Sequence, residues 1–226
     1  MRILVVAATA AETAPLAAAL NDRDAGDPRL VSYTRGRHQI DALHTGVGMV
    51  ATAVWCSRTL GARHYDLALN VGLCGTFDPA LPLGTVVHIV SEQLTELGAE
   101  DGEAFLTLEQ LKLIGADEFP FHDGCLRNVA PPSNDVLNRL PAVRGITVNT
   151  VHGNETSIVA VAERFNPQVE SMEGAAFMYA CLIHQVPFAE VRAVSNLVER
   201  RRREGWKVME AIQCLGESTL AILDCA

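Results

Sequence analysis

Two rhythms of apolar residues run along the chain. Short, largely apolar runs at Ile3–Ala8, Gln39–His44, Leu67–Val71, Thr85–Val90, Gly145–Val151 and Phe188–Val194 predict strands. Between them, helix-period spacing predicts helices at Glu12–Leu20, Met49–Leu60, Ser157–Phe165, Gly174–His184 and Trp206–Leu223. Strands that are apolar throughout, rather than alternating, are buried on both faces. Strands of that kind between helices predict an α/β fold, a three-layer α/β/α arrangement around a central mixed, largely parallel sheet. No internal repeat or low-complexity tract interrupts the 226 residues, which read as a single domain over 1–226. The stretch 98–132 is less regular and carries several Gly, Pro and acidic residues, as expected of an insertion or lid over the sheet. In an open sheet of this kind, chemistry belongs at the carboxyl ends of strands, where loops meet helix N-termini.

Composition narrows the function classes. Hydrophobic residues make up 49% of the chain, enough for a sizeable core, and the 20% charged fraction argues against disorder. The net charge is −9, from 27 acidic and 18 basic residues. Nucleic acid and anionic membranes both require a basic surface, so neither is an expected partner. No stretch reaches the ~20 apolar residues of a membrane span. Met1–Ala8 could pass for a signal peptide, but the apolar run is short, and Glu12 and Pro15 break up the residues after it. A buried first strand is the better reading. The six cysteines form no CxxC pair and sit mostly among aliphatic residues, as in Ala180-Cys181-Leu182. That pattern suits reduced thiols in the cytoplasm. The seven His are dispersed, without HxxxH spacing or a Cys/His cluster, so no metal is expected.

Candidate chemistry collects at strand ends. Glu12 follows the small-residue turn Ala7–Ala11, where its local reading is a first-turn carboxylate favoured by the helix dipole. Thr45-Gly46-Val47-Gly48-Met49 joins a strand to a helix, and its glycines allow a close backbone approach beside free N–H groups. Asn70-Val71-Gly72-Leu73-Cys74-Gly75-Thr76 suits either a tight turn or a flat slot for a ring. In Val169-Glu170-Ser171-Met172-Glu173-Gly174, Glu173 opens a very apolar helix. A carboxylate there costs several kcal/mol unless it binds something, and vicinal hydroxyls are natural partners. Arg192-Ala193-Val194-Ser195-Asn196 ends the last apolar strand, and the Asn offers both a donor and an acceptor to a ring with adjacent complementary groups.

Together these segments resemble the nucleoside phosphorylase/methylthioadenosine nucleosidase superfamily over nearly the whole chain. The resemblance implies that Glu12 activates water, that Met172 packs on the sugar while Glu173 binds ribose hydroxyls, and that Asn196 contacts N7 and the 6-substituent of a purine. Cys74, Gly75, Ser195 and Arg192 become substrate-binding candidates in the same frame. Phosphorylases of the superfamily hold phosphate with an Arg and a Ser around the third segment. Asn70 and Leu73 stand there instead, which favours water as the nucleophile. The adenine-specific nucleosidases carry Asp where this chain has Asn196. An amide can donate to a 6-oxo group that a carboxylate would repel, so a 6-oxopurine is the expected base.

Three further stretches resemble the futalosine hydrolase family: Ser91–Leu94 through Leu97–Gly102, Thr147–Gly153, and Arg192–Glu199 continuing through Arg203 and Trp206. That likeness implies futalosine, an inosine-like nucleoside with a benzoate-bearing chain on its ribose, as the substrate. Its cleavage would give hypoxanthine and dehypoxanthine futalosine in menaquinone biosynthesis, with no cofactor. A methylthioadenosine/S-adenosylhomocysteine-type nucleosidase is the alternative, and behind it a non-catalytic nucleoside-binding protein, against which the pairing of Glu12 with Glu173 weighs. The resemblance also implies a homodimer, for which the helix after Met49 suits an interface. The basic run Arg200–Arg203 is either a solvated surface or the source of an Arg for the substrate carboxylate. Arg192, His152 and Arg203 are possible contacts.

Overall fold

The computed structural model describes the backbone of residues 1–226 and the side chains of 1–20 and 27–226. The chain opens with β1 (Arg2–Ala7) and the short α1 (Ala14–Ala19). A hairpin of β2 (Asn21–Asp27) and β3 (Leu30–Arg35) follows, then β4 (His38–His44), α2 (Met49–Ala62), β5 (Leu67–Thr76) and β6 (Val86–Leu94). The irregular middle holds β7 (Gly98–Asp101), β8 (Ala104–Thr107) and β9 (Leu126–Arg127). The last part is β10 (Ala142–Thr147), α3 (Glu155–Phe165), β11 (Val169–Ser171), α4 (Gly174–His184), β12 (Phe188–Leu197) and α5 (Val208–Asp224).

Ten strands form one mixed sheet in the order β11-β10-β6-β12-β5-β1-β4-β3-β2, with β9 beside β6. The pairings β12–β5, β5–β1 and β1–β4 are parallel, so Leu197, Thr76, Ala7 and His44 all end at one edge of the sheet. β12 runs antiparallel to β6, and β11 folds over to pair antiparallel with β5, setting Glu170 opposite Gly75. That second pairing brings the segment before α4 to the strand ends.

Helices cover both faces. Cys56 and Leu60 of α2 and Phe177, Met178 and Cys181 of α4 pack with Leu4, Val6 and Ala68 on one side. Leu16 of α1 and Ala211, Leu215 and Ile222 of α5 pack with Ile3, Val5 and Leu69 on the other. Burying each large side chain of this kind contributes about 1.5–3 kcal/mol. α3 packs Val161 on Ile146 and Val148, and Asn154 caps its N-terminus by accepting from the N–H groups of Thr156 (2.9 Å) and Ser157 (3.3 Å).

Several boundaries differ from the sequence expectation, each for a physical reason. β5 continues through Gly72-Leu73-Cys74-Gly75, so this segment is strand rather than turn, and its small residues form a flat floor. α1 begins only at Ala14, with Pro15 in its first turn, so Glu12 precedes the helix rather than lying in it. β10 starts at Ala142 and stops at Thr147, because 148–153 leaves the sheet, although Val148 N–H still donates to Ser171 O. The β2–β3 hairpin was not expected from the sequence: β3 lies next to the edge strand β2, has Tyr33 as its one buried residue, and carries no apolar run. Within 98–132, β7 and β8 form their own two-stranded sheet.

Candidate active site

At the carboxyl ends of β1, β5 and β12 lies a cavity of about 560 Å³. Glu12, Cys74, Gly75, Met172, Glu173, Ser195 and Asn196 all line it. Arg192, the remaining site residue expected from sequence, does not line it. None of residues 98–132 lines it either, so the expectation of a lid does not place that stretch over this cavity.

Glu12 is held by the chain around it. Its Oε2 accepts from Thr9 N–H (2.8 Å) and Thr9 Oγ1 (3.0 Å), and Oε1 accepts from Leu73 N–H (3.3 Å). The carboxylate thus folds back across the β1 turn onto the strand floor. Capping of α1 is not its role.

Glu173 sits at the N-cap of α4 and is 5% exposed. Its Oε1 accepts from Gly48 N–H (3.0 Å), and Oε2 lies 3.5 Å from Arg192 Nη1. Gly46 and Gly48 both have positive φ, 88° and 98°, a conformation that favours glycine. The glycine loop therefore holds a carboxylate of the protein with one of its free N–H groups. Gly174 is required where it is: a methyl group there would collide with carboxylate oxygens of Glu92 and Glu190.

Arg192 is 1% exposed and lies behind the cavity. It donates from Nε to Glu190 Oε1 (2.8 Å) and from Nη2 to Asn70 Oδ1 (2.5 Å), besides facing Glu173. Burial works against its charge, but the neighbouring Glu190 and Glu173 outweigh that and hold the guanidinium protonated. A Cβ on Gly72 would collide with Arg192 Nη1 and lie 3.0 Å from Glu12 Oε1, so both side chains converge on this glycine. Arg192 is a positioning residue that fixes Glu173 from behind. Beyond it, burial and then the nearby Glu190 push the carboxyl of Glu92 well above the usual range, while Thr147 Oγ1 donates to it at 2.7 Å.

Asn70 donates from Nδ2 to Val6 O (3.0 Å) and accepts from Arg192, so its amide is used inside the protein. Leu73 offers only its N–H, which goes to Glu12. Neither position presents a cation or hydroxyl to an anion. Burial pushes the Cys74 thiol up to about 12, which makes it a neutral wall group rather than a nucleophile. Ser195 Oγ lies 2.8 Å from Asn196 Oδ1 and 3.2 Å from Cys74 O, which orients the half-buried Asn196 amide.

The structure adds Glu170, which the sequence left unassigned: it lines the cavity beside Asn196, and His152, one of the possible contacts expected from sequence, joins it there. Of the basic run, Arg201 lines the mouth, with its guanidinium 4.9 Å from the ring centroid of Trp206, whereas Arg203 does not. The only sequence signal for Arg201 was the Arg-rich run itself. For Glu170 it was only its place three residues before Glu173. Among the described residues, no cluster of three or more His, Cys, Asp or Glu could hold a metal ion, and no helix is long and apolar enough to cross a membrane.

The fold and the paired carboxylates of this cavity define a class, the enzymes that cleave the bond between a purine and its ribose. The chain belongs to the phosphorylase superfamily, whose family model matches residues 2–224, and within it to the family of the futalosine hydrolases. It is 30% identical over 184 residues to the futalosine hydrolase of Thermus thermophilus, covering 80% of each chain. It is 30% identical over 230 residues to that of Acidothermus cellulolyticus, covering 97% of this chain and 89% of the other. An S-adenosylhomocysteine nucleosidase from Streptococcus pyogenes, solved in complex with 5-methylthiotubericidin, shares the fold. It has a TM-score of 0.82 at 19% identity, covering 99% of this chain and 96% of that one. The protein is a nucleosidase, an N-glycosyl hydrolase.

Proposed function

We propose that this enzyme hydrolyses the N-glycosidic bond of futalosine, releasing hypoxanthine and dehypoxanthine futalosine in menaquinone biosynthesis. The observation that carries this reading is the pairing of a carboxylate, Glu12, with an uncharged amide, Asn196, in one cavity. Glycosidic cleavage develops positive charge on the sugar and negative charge on the departing purine. Glu173 anchors the ribose hydroxyls and stabilises the cationic sugar, while Met172 packs against it. Glu12 orients a water below the anomeric carbon and takes its proton. Asn196 stabilises the purine by hydrogen bonding as negative charge builds there. Arg201 and Trp206 at the mouth suit the benzoate end, since Arg matches carboxylate geometry and an aromatic ring stacks on another.

Water is the nucleophile in this reading because Asn70 and Leu73 hold no anion. Sugar released as the free hemiacetal at an unchanged rate when phosphate is added is the expected result. A sugar 1-phosphate would make the enzyme a phosphorylase. Asn196→Asp is expected to lower 6-oxopurine release by about 10-fold or more and to admit adenine nucleosides, because the new carboxylate repels O6 and accepts from a 6-amino group. Unchanged base preference in that variant would remove Asn196 from specificity.

We also read residues 1–226 as one cytoplasmic domain acting as a homodimer. The face of α2 supports this, with Val50 76% and Val54 58% exposed, and α4, which packs beside α2, also exposes Ile183. Light scattering after gel filtration is expected to give twice the chain mass of 24.3 kDa, and Val50→Glu together with Val54→Glu to give the single mass.

A further inference from the structure

We propose that Glu170, oriented by His152, accepts the N1–H of a 6-oxopurine and so sets the base preference together with Asn196. This rests on the reading of the cavity as a purine nucleoside site. Glu170 is 4% exposed, lines the cavity, and has no part in the Glu12 and Glu173 machinery. Antiparallel pairing of β11 with β5 puts it opposite Gly75, on the strand floor. A Cβ on Gly75 would lie 3.1 Å from Asn196 Nδ2 and 3.6 Å from Glu170 Cγ, so the two polar side chains flank one strip of bare backbone. A flat ring on that strip meets both along one edge.

The carboxylate is fixed in place. His152 donates from its backbone N–H to Oε1 (3.1 Å), and its Nδ1 lies 2.7 Å from Oε2. The imidazole in turn packs edge-on against Phe77, with centroids 6.3 Å apart. An ionised carboxylate only accepts hydrogen bonds, and each oxygen has lone pairs beyond those that His152 uses. Along the edge of hypoxanthine, O6 accepts and N1–H donates. Adenine reverses both, with a 6-amino donor and an N1 acceptor. Asn196 carries a donor and an acceptor, and its amide is held one way round by Ser195 Oγ, which donates to Oδ1 (2.8 Å), and by Leu197 O, which accepts from Nδ2 (2.9 Å). A carboxylate has no donor for N1. Glu170 therefore adds a second discrimination against adenine, whose N1 lone pair would face carboxylate oxygens.

The test compares competitive inhibition by hypoxanthine and by adenine in wild type and Glu170→Gln. The Gln amide can accept from N1–H or donate to N1, so the hypoxanthine-over-adenine preference is expected to fall by about 10- to 100-fold. A variant weakened equally toward both bases would show that Glu170 only holds the 149–153 loop, and would overturn the assignment. Wild-type enzyme gives an independent measurement that needs no variant to fold: 1-methylhypoxanthine lacks N1–H and is expected to inhibit far more weakly than hypoxanthine. Equal inhibition by the two would also overturn it. The underlying substrate reading fails separately, if wild type releases base from methylthioadenosine and none from futalosine.

Discussion

Glu12→Gln is expected to lower kcat by ~10² or more while leaving KM and stability close to wild type. The substitution keeps the shape, and its one acceptor oxygen can still take the shorter bond, from Thr9 N–H (2.8 Å), at the loss of the longer one from Leu73 N–H (3.3 Å). Its main effect is to remove the capacity to take a proton from water. Because Glu12 lies before α1 and its bonds are to Thr9 and Leu73, no helix cap is lost. Steady-state base release checks the first part and a denaturation curve the second. Near-normal kcat would remove Glu12 from the role of base.

Arg192→Met is expected to have the largest effect on stability, a loss of about 3–5 kcal/mol, with activity falling as well. The guanidinium is buried with two of its nitrogens on Glu190 and Asn70 and a third facing Glu173. Removing it leaves Glu190, which is fully buried, without a counter-charge, beside a second buried acid at Glu92. It also frees Glu173, the proposed ribose anchor, from one of its two partners. Adding Glu190→Gln to Arg192→Met removes the stranded charge and is expected to restore part of the stability, but not the activity, since Glu173 stays unsupported. Urea denaturation of the single and double variants checks this. A single variant as stable as wild type would contradict the ion-pair account of this cluster.

The three-layer plan was legible in the sequence because the strands that carry the site are buried on both faces and so read as continuous apolar runs. β1, β5 and β12 are of this kind, and their ends hold Glu12, Gly75 and Asn196. The β2–β3 hairpin lies at an edge, and β3, with Tyr33 its one buried residue, gave no such run. β11 escaped for a different reason: three residues are too short for a period, and its pairing with β5 is a long-range event with no local signal. That same pairing is what brings Glu170 into the cavity. A resemblance could place Glu12, Met172, Glu173 and Asn196 residue by residue. It could not show that Arg192 lies behind the site rather than in it, because full burial among Glu190, Asn70 and Glu173 emerges only when β12 and β5 are side by side.

Release of free base from futalosine and from methylthioadenosine, followed by chromatography under the same conditions, tests the central claim most directly. Hypoxanthine from futalosine, with little or no adenine from methylthioadenosine, is the predicted result. Adenine from methylthioadenosine with futalosine left intact would contradict it.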